Sequence, residues 1–250
     1  MRNINNIPVT ILTVSYNAEQ TIARTIKSVI AQTHSNIEYI VIDGASTDGT
    51  AQTARSYVDE FNARPGRNMR VISEPDRGMY DALNKGAGLA HGEIVGQINA
   101  DDWYEPDAAA TMAELYEREH YALAWGSIRV ITRSGNFVKH AKRGLLWTTS
   151  HWCHPAAFAS RETLLEYPYP LTNSHDDFDF ATHVYLDEKK IIPLDKIISN
   201  FTFGGMSTKK SIREAKKRLD EIYGIYKNYG MSKLYYLHRL AFETVKYFLT

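Results

Sequence analysis

Val9-Thr-Ile-Leu-Thr-Val14 is a short, β-branched run without polar alternation, and Ser15-Tyr-Asn17 ends it. Such a run is expected of a strand covered on both faces. Ile22, Ile26, Val29 and Ile30 then fall on one face at helical spacing. The same unit repeats downstream. Ile37–Ile42 reads as a second strand, and the turn-rich Asp43-Gly-Ala-Ser-Thr-Asp-Gly49 leads into a helix to about Phe61 that Asp48 is placed to cap. Met69–Ser73 reads as a third strand, followed by Glu74-Pro-Asp-Arg-Gly78 and a helix to about Ala90. Glu93–Ile98 reads as a fourth, ending at Asn99-Ala-Asp-Asp102. Strands alternating with helices predict right-handed βαβ units in an α/β fold, with a mostly parallel central sheet and helices on both faces. Ligands bind such sheets beyond the carboxyl ends of the strands. Three polar clusters converge there: Ser15–Asn17, Asp43–Asp48 and Asn99–Asp102.

Beyond Asp102 the pattern changes. Pro106 is expected to open a helix to about Glu119, and Leu123–Thr132 a strand with a hairpin at Arg133-Ser-Gly135. Residues 139–153, basic and then aromatic, are expected to form a mobile loop. Pro155–Ala159 reads as a strand, 176–188 as a helix, and Ile191–Phe203 as one or two strands. From Ser211 the chain reads as helical, with a break at Tyr229-Gly-Met231.

The composition excludes several classes. The 250 residues are 44% hydrophobic and 23% charged, an ordinary globular mix. The single cysteine, Cys153, excludes a disulfide framework and a multi-cysteine metal site. Lys+Arg and Asp+Glu are both 29, so no global field favours nucleic acid. The balance is uneven along the chain. Residues 1–207 hold 19 basic against 25 acidic side chains, and residues 208–250 hold 10 against 4. No signal peptide or transmembrane segment is expected, which points to the cytoplasm. Gly86-Ala-Gly-Leu-Ala-His-Gly92 precedes a strand instead of following one, unlike a dinucleotide loop. Gly-x-Ser-x-Gly, a P-loop and His-Glu-x-x-His are absent from the sequence.

Each polar cluster supports two readings. The adjacent carboxylates Asp101 and Asp102 suit a hard cation, manganese or magnesium, bridging protein to phosphates, or else a helix N-cap. Asp43 suits a base or ribose, or an Asx-turn. Tyr16 suits stacking on a base, or the core. Arg77 and Lys85 suit a diphosphate, or solvated surface. Asp176, Asp177 and Asp179 supply a candidate general base, or favourable charge at a helix start. His154 lies in an apolar context that suits a structural role.

Together these residues resemble the family 2 glycosyltransferases, inverting enzymes with a GT-A fold. The matching segments are Val9–Asn17, Ile40–Thr50, Ser73–Gly86, Gly92–Trp103, His154–Glu162, Asp176–Phe180 and Ile198–Ser207. The resemblance implies that Ser15, Tyr16, Asn17, Asp43 and Ser46 hold the nucleoside of a nucleotide-sugar donor. Arg77 would approach the diphosphate, Asp101 the ribose or sugar, and Asp102 would bind the divalent metal. It implies Asp177 as the base, with Asp176 standing where the family has alanine or glutamate. His154 and Gly204-Gly-Met-Ser207 match later positions near the active site. The Gln-x-x-Arg-Trp of processive synthases is missing, which implies transfer of a single sugar, with UDP the family's commonest nucleotide.

The expected organisation is a catalytic domain over 1–207, with a nucleotide-sugar half to about 103 and an acceptor half from about 104. Residues 208–250 would form a basic amphipathic helical tail. From Leu234 on, Leu234, Leu237, Ala241, Val245 and Phe248 fall on one helical face, suited to the inner face of a membrane, to the domain itself or to a second subunit in a homo-oligomer. The acceptor would be a saccharide or lipid-linked, in polysaccharide or glycolipid assembly. The rival readings are a non-catalytic carbohydrate-binding or scaffold subunit and a sugar nucleotidyltransferase. The latter's early Gly-rich basic loop has no counterpart in Ser-Tyr-Asn-Ala-Glu19.

Overall fold

The first strand, β1 (Val9–Ser15), is buried at every position, as its unbroken apolar run requires. A computed structural model describes residues 7–142, 152–203, 212–237 and 240–241. After β1 come α1 (Ile22–Ile30), β2 (Ile37–Asp43), α2 (Thr50–Arg55), α3 (Val58–Asn62), β3 (Arg67–Ser73), α4 (Met79–Leu89) and β4 (Ile94–Asn99). The second half holds β5 (Trp103–Tyr104), α5 (Ala108–Glu119), β6 (Leu123–Thr132), β7 (Gly135–Lys139), β8 (Ala157–Ser160), α6 (Arg161–Glu166), α7 (Asp176–Leu186), β9 (Ile191–Thr202) and α8 (Ile212–Asn228).

These strands form one sheet in the order β3-β2-β1-β4-β8-β6-β9-β5, with β7 on β6. The first four pair in parallel, and the remainder is mixed: β8 is antiparallel to both β4 and β6, while β6 and β9 run parallel. The strand order reverses between β1 and β4, the switch point where a crevice opens at the carboxyl ends. The register fixes what lies there. Ser15 pairs with Asp43, and Asp43 with Ser73, so three polar residues end adjacent strands in one row. Asn99 pairs with Val14 on the other side.

Helix α4 lies against β1 and β2 through Gly86, where a Cβ would sit 3.0 Å from Leu12. Gly78 opens that helix with φ +120°, a left-handed conformation that favours glycine. Helix α8 packs on the body that holds the sheet. Its Ile222, Ile225 and Tyr226 are buried in the same apolar cluster as β1, β4 and α7.

Three local expectations differ. The single helix expected to Phe61 is two, α2 and α3, broken at Ser56-Tyr57. Phe61 turns in to pack on Tyr39, with ring centroids 5.6 Å apart, and Asn62 Oδ1 accepts the Met69 N–H. The helix expected at Pro106 begins at Ala108, because the Pro106 carbonyl accepts the Thr33 N–H across to the end of α1. The strand expected at Pro155 begins at Ala157. Pro155 has no N–H to give a ladder, and it sits in a 3₁₀ turn over His154–Ala156. Ile191–Thr202 is a single strand whose pairing with β6 shifts register around Ser127. Of the loop expected over 139–153, residues 143–151 lie outside the described residues, as does Gly204–Ser207. Among the described residues no helix is long and apolar enough to cross a membrane.

Candidate active site

The loops after β1 and β2 are stitched together. The backbone N–H of Asn17 donates to Ser46 Oγ at 2.8 Å, and Asn17 Oδ1 accepts from Thr47 N at 3.0 Å. Ala18 N donates to Thr50 Oγ1, and Asp48 accepts from the N–H groups of Glu19 and Thr50. Asn17 itself is left-handed, φ 48°, as asparagine tolerates. This bend leaves Tyr16 66% exposed, so the alternative that it belongs to the core is wrong.

Asp43 is fully buried and richly supplied with donors. Ser15 Oγ and Ser46 Oγ donate to Oδ1; Ser46 N and Ser73 Oγ donate to Oδ2. The turn and the strand-end carboxylate are therefore one feature. The Glu74–Gly78 loop packs on it: Glu74 N donates to the Asp43 carbonyl, and a Cβ on Gly44 would lie 2.6 Å from Asp76 Oδ2. Arg77 is mostly exposed and pairs with Asp81 at 2.8 Å. Lys85 pairs with Glu74 at 3.0 Å.

The second group of residues is held at the end of β4. Asp102 is wholly buried, yet it caps no helix, because Trp103–Tyr104 is the short strand β5. Its Oδ1 accepts from Thr202 N at 2.9 Å, while Oδ2 has no partner. Burial, reinforced by neighbouring Asp101, pushes the Asp102 carboxyl up to about 8. Burial likewise pushes Asp101 up. The backbone beneath them is braced: Arg24 and Thr202 Oγ1 both donate to the Asp101 carbonyl, and Thr25 Oγ1 donates to that of Asp102. Arg24 also lies over the Trp103 ring at 4.0 Å. Among the described residues no group of three His, Cys, Asp or Glu forms a metal cage. A buried carboxylate with one unspent oxygen beside a second carboxylate nevertheless fits a hard cation that takes its other ligands from substrate phosphates and water.

The acidic cluster at the start of α7 separates into three jobs. Asp176 accepts from Thr172 N, Thr172 Oγ1 and Asn173 N, all within 3.0 Å, and so ties down the preceding loop. Asp179 is pushed up by burial and pairs with the Tyr229 hydroxyl beyond α8. Asp177 remains partly accessible and faces other elements. The Tyr80 hydroxyl donates to its Oδ1 and the Trp152 indole to its Oδ2, each at 2.7 Å. Burial pushes this carboxyl up, but His154, the Tyr80 hydroxyl, His175 and the Trp152 indole together hold it below its ordinary range.

His154 is nearly buried, and burial pushes its pKa down. Its Nε2 lies 3.0 Å from Gln97 Oε1, which also accepts from the Tyr169 hydroxyl at 2.6 Å. An amide oxygen only accepts, so Nε2 carries a proton and Nδ1 is the ring nitrogen left for another partner. Gln97 and Asn99 lie two residues apart on β4, which links the His154–Asp177 group to the Asp101–Asp102 group. Sequence reading missed Tyr80, Trp152, Gln97, Arg24 and Thr202. Gln97 alone left a signal, as a polar residue inside an otherwise apolar buried strand.

Similarity to known proteins agrees with this geometry. The family model described as Glycosyl transferase family 2 matches residues 10–178. A PGL/p-HBAD biosynthesis glycosyltransferase of Mycobacterium bovis is 30% identical over 200 residues, 77% of this chain and 76% of the relative. An uncharacterized glycosyltransferase of Nostoc sp. is 26% identical over 176 residues, covering 65% of this chain. The chain spans about half the length of that relative, 53%. Among solved structures, S. aureus TarS 1–349 in complex with UDP-GlcNAc superposes with TM-score 0.69 at 19% identity, covering 92% of this chain and 69% of that 1–349 chain. The mannosyltransferase PcManGT of Pyrobaculum calidifontis, in complex with GDP-Man and Mn2+, gives 0.66 at 20% identity, covering 96% and 71%. Both likenesses establish the GT-A fold. The matched span runs from β1 into α7, and the chain belongs to glycosyl transferase family 2.

Proposed function

We propose that this protein is an inverting glycosyltransferase that moves one sugar from a nucleotide-diphosphate sugar to an acceptor hydroxyl. The observation that carries the reading is the separation at α7: Asp176 and Asp179 are buried and engaged in the fold, and Asp177 is the partly accessible acid of the three, held below its ordinary range. An ionised carboxylate is what deprotonation of an acceptor hydroxyl requires. The proton moves to Asp177, the acceptor oxygen bonds to the anomeric carbon, and the bond to the diphosphate oxygen breaks on the opposite face. A single displacement of this kind needs no covalent enzyme intermediate.

In this reading Tyr16, Asn17, Ser15, Asp43 and Ser46 form the nucleoside side, Arg77 the diphosphate side and Asp101 the ribose or sugar side. Asp102 would hold a manganese or magnesium ion, which when bound neutralises charge on the leaving diphosphate. His154 offers Nδ1 to a sugar or acceptor hydroxyl. UDP is the proposed nucleotide, in keeping with the TarS complex, although PcManGT is in complex with GDP-Man. Domain limits at 207/208 and an internal division near 103 belong to the same proposal.

A lipid-linked or saccharide acceptor at the inner face of the membrane suits the C-terminal segment. Residues 208–250 carry net charge +6, and Leu234 and Leu237 are 62% and 55% exposed beside Lys233. Anionic lipid is the partner this combination fits. Hydrolysis or transfer with a panel of UDP- and GDP-sugars, with and without Mn2+, tests the proposal. Turnover with one donor that disappears in Asp177→Asn supports it. Absence of turnover with every donor and acceptor favours a scaffold subunit.

A further inference from the structure

Tyr80 and Trp152 are aromatic side chains from distant parts of the chain, 97 and 25 residues from Asp177. Both are almost fully buried, at 8% and 4% exposure, yet each aims its one polar hydrogen at the same partly accessible carboxylate. They take different oxygens. Tyr80 rises from the first turn of α4, just past Gly78, and its hydroxyl is 2.7 Å from Oδ1 against 3.1 Å from the Ser174 carbonyl. The single phenol proton therefore goes mainly to the carboxylate, the closer and charged acceptor. Trp152 is fixed edge-on against Trp125, ring centroids 5.2 Å apart, so its indole cannot swing away from Oδ2 without breaking core packing. Two rigid donors on two oxygens define the plane of a carboxylate that would otherwise rotate.

We propose that Tyr80 and Trp152 are the positioning residues of the reaction, a two-point clamp that holds the Asp177 carboxyl group in one orientation. The inference rests on Asp177 being the base. The other groups near Asp177 are His154, Tyr169 and His175, and His175 in turn pairs with Glu221 of α8, which Lys217 approaches. Both clamp donors are neutral and stay so across the working range, since burial pushes the Tyr80 phenol well above its ordinary value. The clamp therefore does not depend on the charge of either donor.

One half of the test needs no knowledge of the sugar. In 15N-labelled protein at pH 7, the Trp152 indole resonance, one of four and identified by its loss in Trp152→Phe, is expected to move in Asp177→Asn and in Tyr80→Phe. It should stay in place in Asp176→Asn. An indole resonance indifferent to Asp177→Asn overturns the clamp. The other half is kinetic, with whichever UDP- or GDP-sugar the wild type hydrolyses. Tyr80→Phe and Trp152→Phe, checked for folding by thermal melting, should each lower kcat about tenfold at unchanged KM, on the scale of one hydrogen bond to a charge. Activity requires ionised Asp177 and is lost as pH falls, so removing a donor should move the acid limb up by about one pH unit. Wild-type rates and pH profiles in both variants, with activity lost in Asp177→Asn, overturn the positioning role and leave the base standing. Wild-type rates in Asp177→Asn overturn the base itself.

Discussion

Glu221, on α8, accepts a hydrogen bond from His175 Nδ1 at 2.8 Å, two residues before Asp177. The same Oε2 accepts from Ser174 Oγ at 2.6 Å. The C-terminal helix thus grips the loop that presents the candidate base. These donors hold the Glu221 carboxyl below its ordinary value of 4.5 despite partial burial. A depressed carboxyl contributes stability in full above its unfolded pKa and loses it as pH falls through the folded one. Wild type should therefore exceed Glu221→Gln by about 1 kcal/mol near neutrality, the scale of a charged hydrogen bond discounted for partial exposure. The gap should close in melts taken progressively below pH 4.5.

Asp102→Asn should leave the fold intact and abolish the metal-dependent part of nucleotide binding. The amide can still accept from Thr202 N, but it replaces the unspent carboxylate oxygen with a neutral group. Calorimetric titration of UDP and GDP with and without manganese measures this. Manganese dependence equal to that of the wild type would remove Asp102 from the metal site.

The three carboxylates of α7 should fail differently. Asp177→Asn should cut turnover by about 10²-fold or more with donor affinity retained. Asp176→Asn should instead cost about 1 kcal/mol of stability, because the part-buried loop N–H groups of Thr172 and Asn173 share one accepting oxygen in place of two. Asp179→Asn should loosen the contact to Tyr229 and lower the melting temperature with kcat kept within a few-fold. A large kcat loss in either of the last two at wild-type stability would reassign the base.

Membrane contact is testable without disturbing the core. Removing the whole segment from 208 would strip Ile222, Ile225 and Tyr226 from the apolar cluster, so shortening the chain there would confound folding with binding. Leu234→Ser/Leu237→Ser in the full chain alters exposed positions only. The wild type should co-sediment with vesicles containing anionic lipid at low salt, and the double variant should not. Equal sedimentation of the two, or none by the wild type, would exclude lipid as the partner of this face.

The parallel half of the sheet was readable because strands buried on both faces carry unbroken apolar runs, as Val9–Val14 and Ile37–Ile42 do. The break between α2 and α3 was not, because Ser56-Tyr57 contains neither glycine nor proline and what turns the chain is Phe61 docking on distant Tyr39. The position of Asp102 and of the acidic cluster was equally readable, but not which oxygen or which acid is left unspent. Those facts depend on Thr202, Tyr80, Trp152 and Tyr229, partners that lie far along the chain and carry no local pattern. Trp152 falls in a stretch expected to be a mobile loop, and it is instead buried, as is Tyr80; only their polar hydrogens reach the carboxylate.

The four donors already on Asp43 alter what a nucleobase could gain by meeting it. An arriving N–H would not find an empty acceptor but would trade places with a serine hydroxyl, which can turn to another partner at small cost. Such an exchange is nearly neutral for a matching base. For a base that presents an acceptor at that point, the exchange leaves two electron-rich atoms facing each other in a buried setting, with no compensating bond. Asp43 would therefore act as a discriminator among bases, and the strength with which the nucleotide is held would come from its ring face and phosphates.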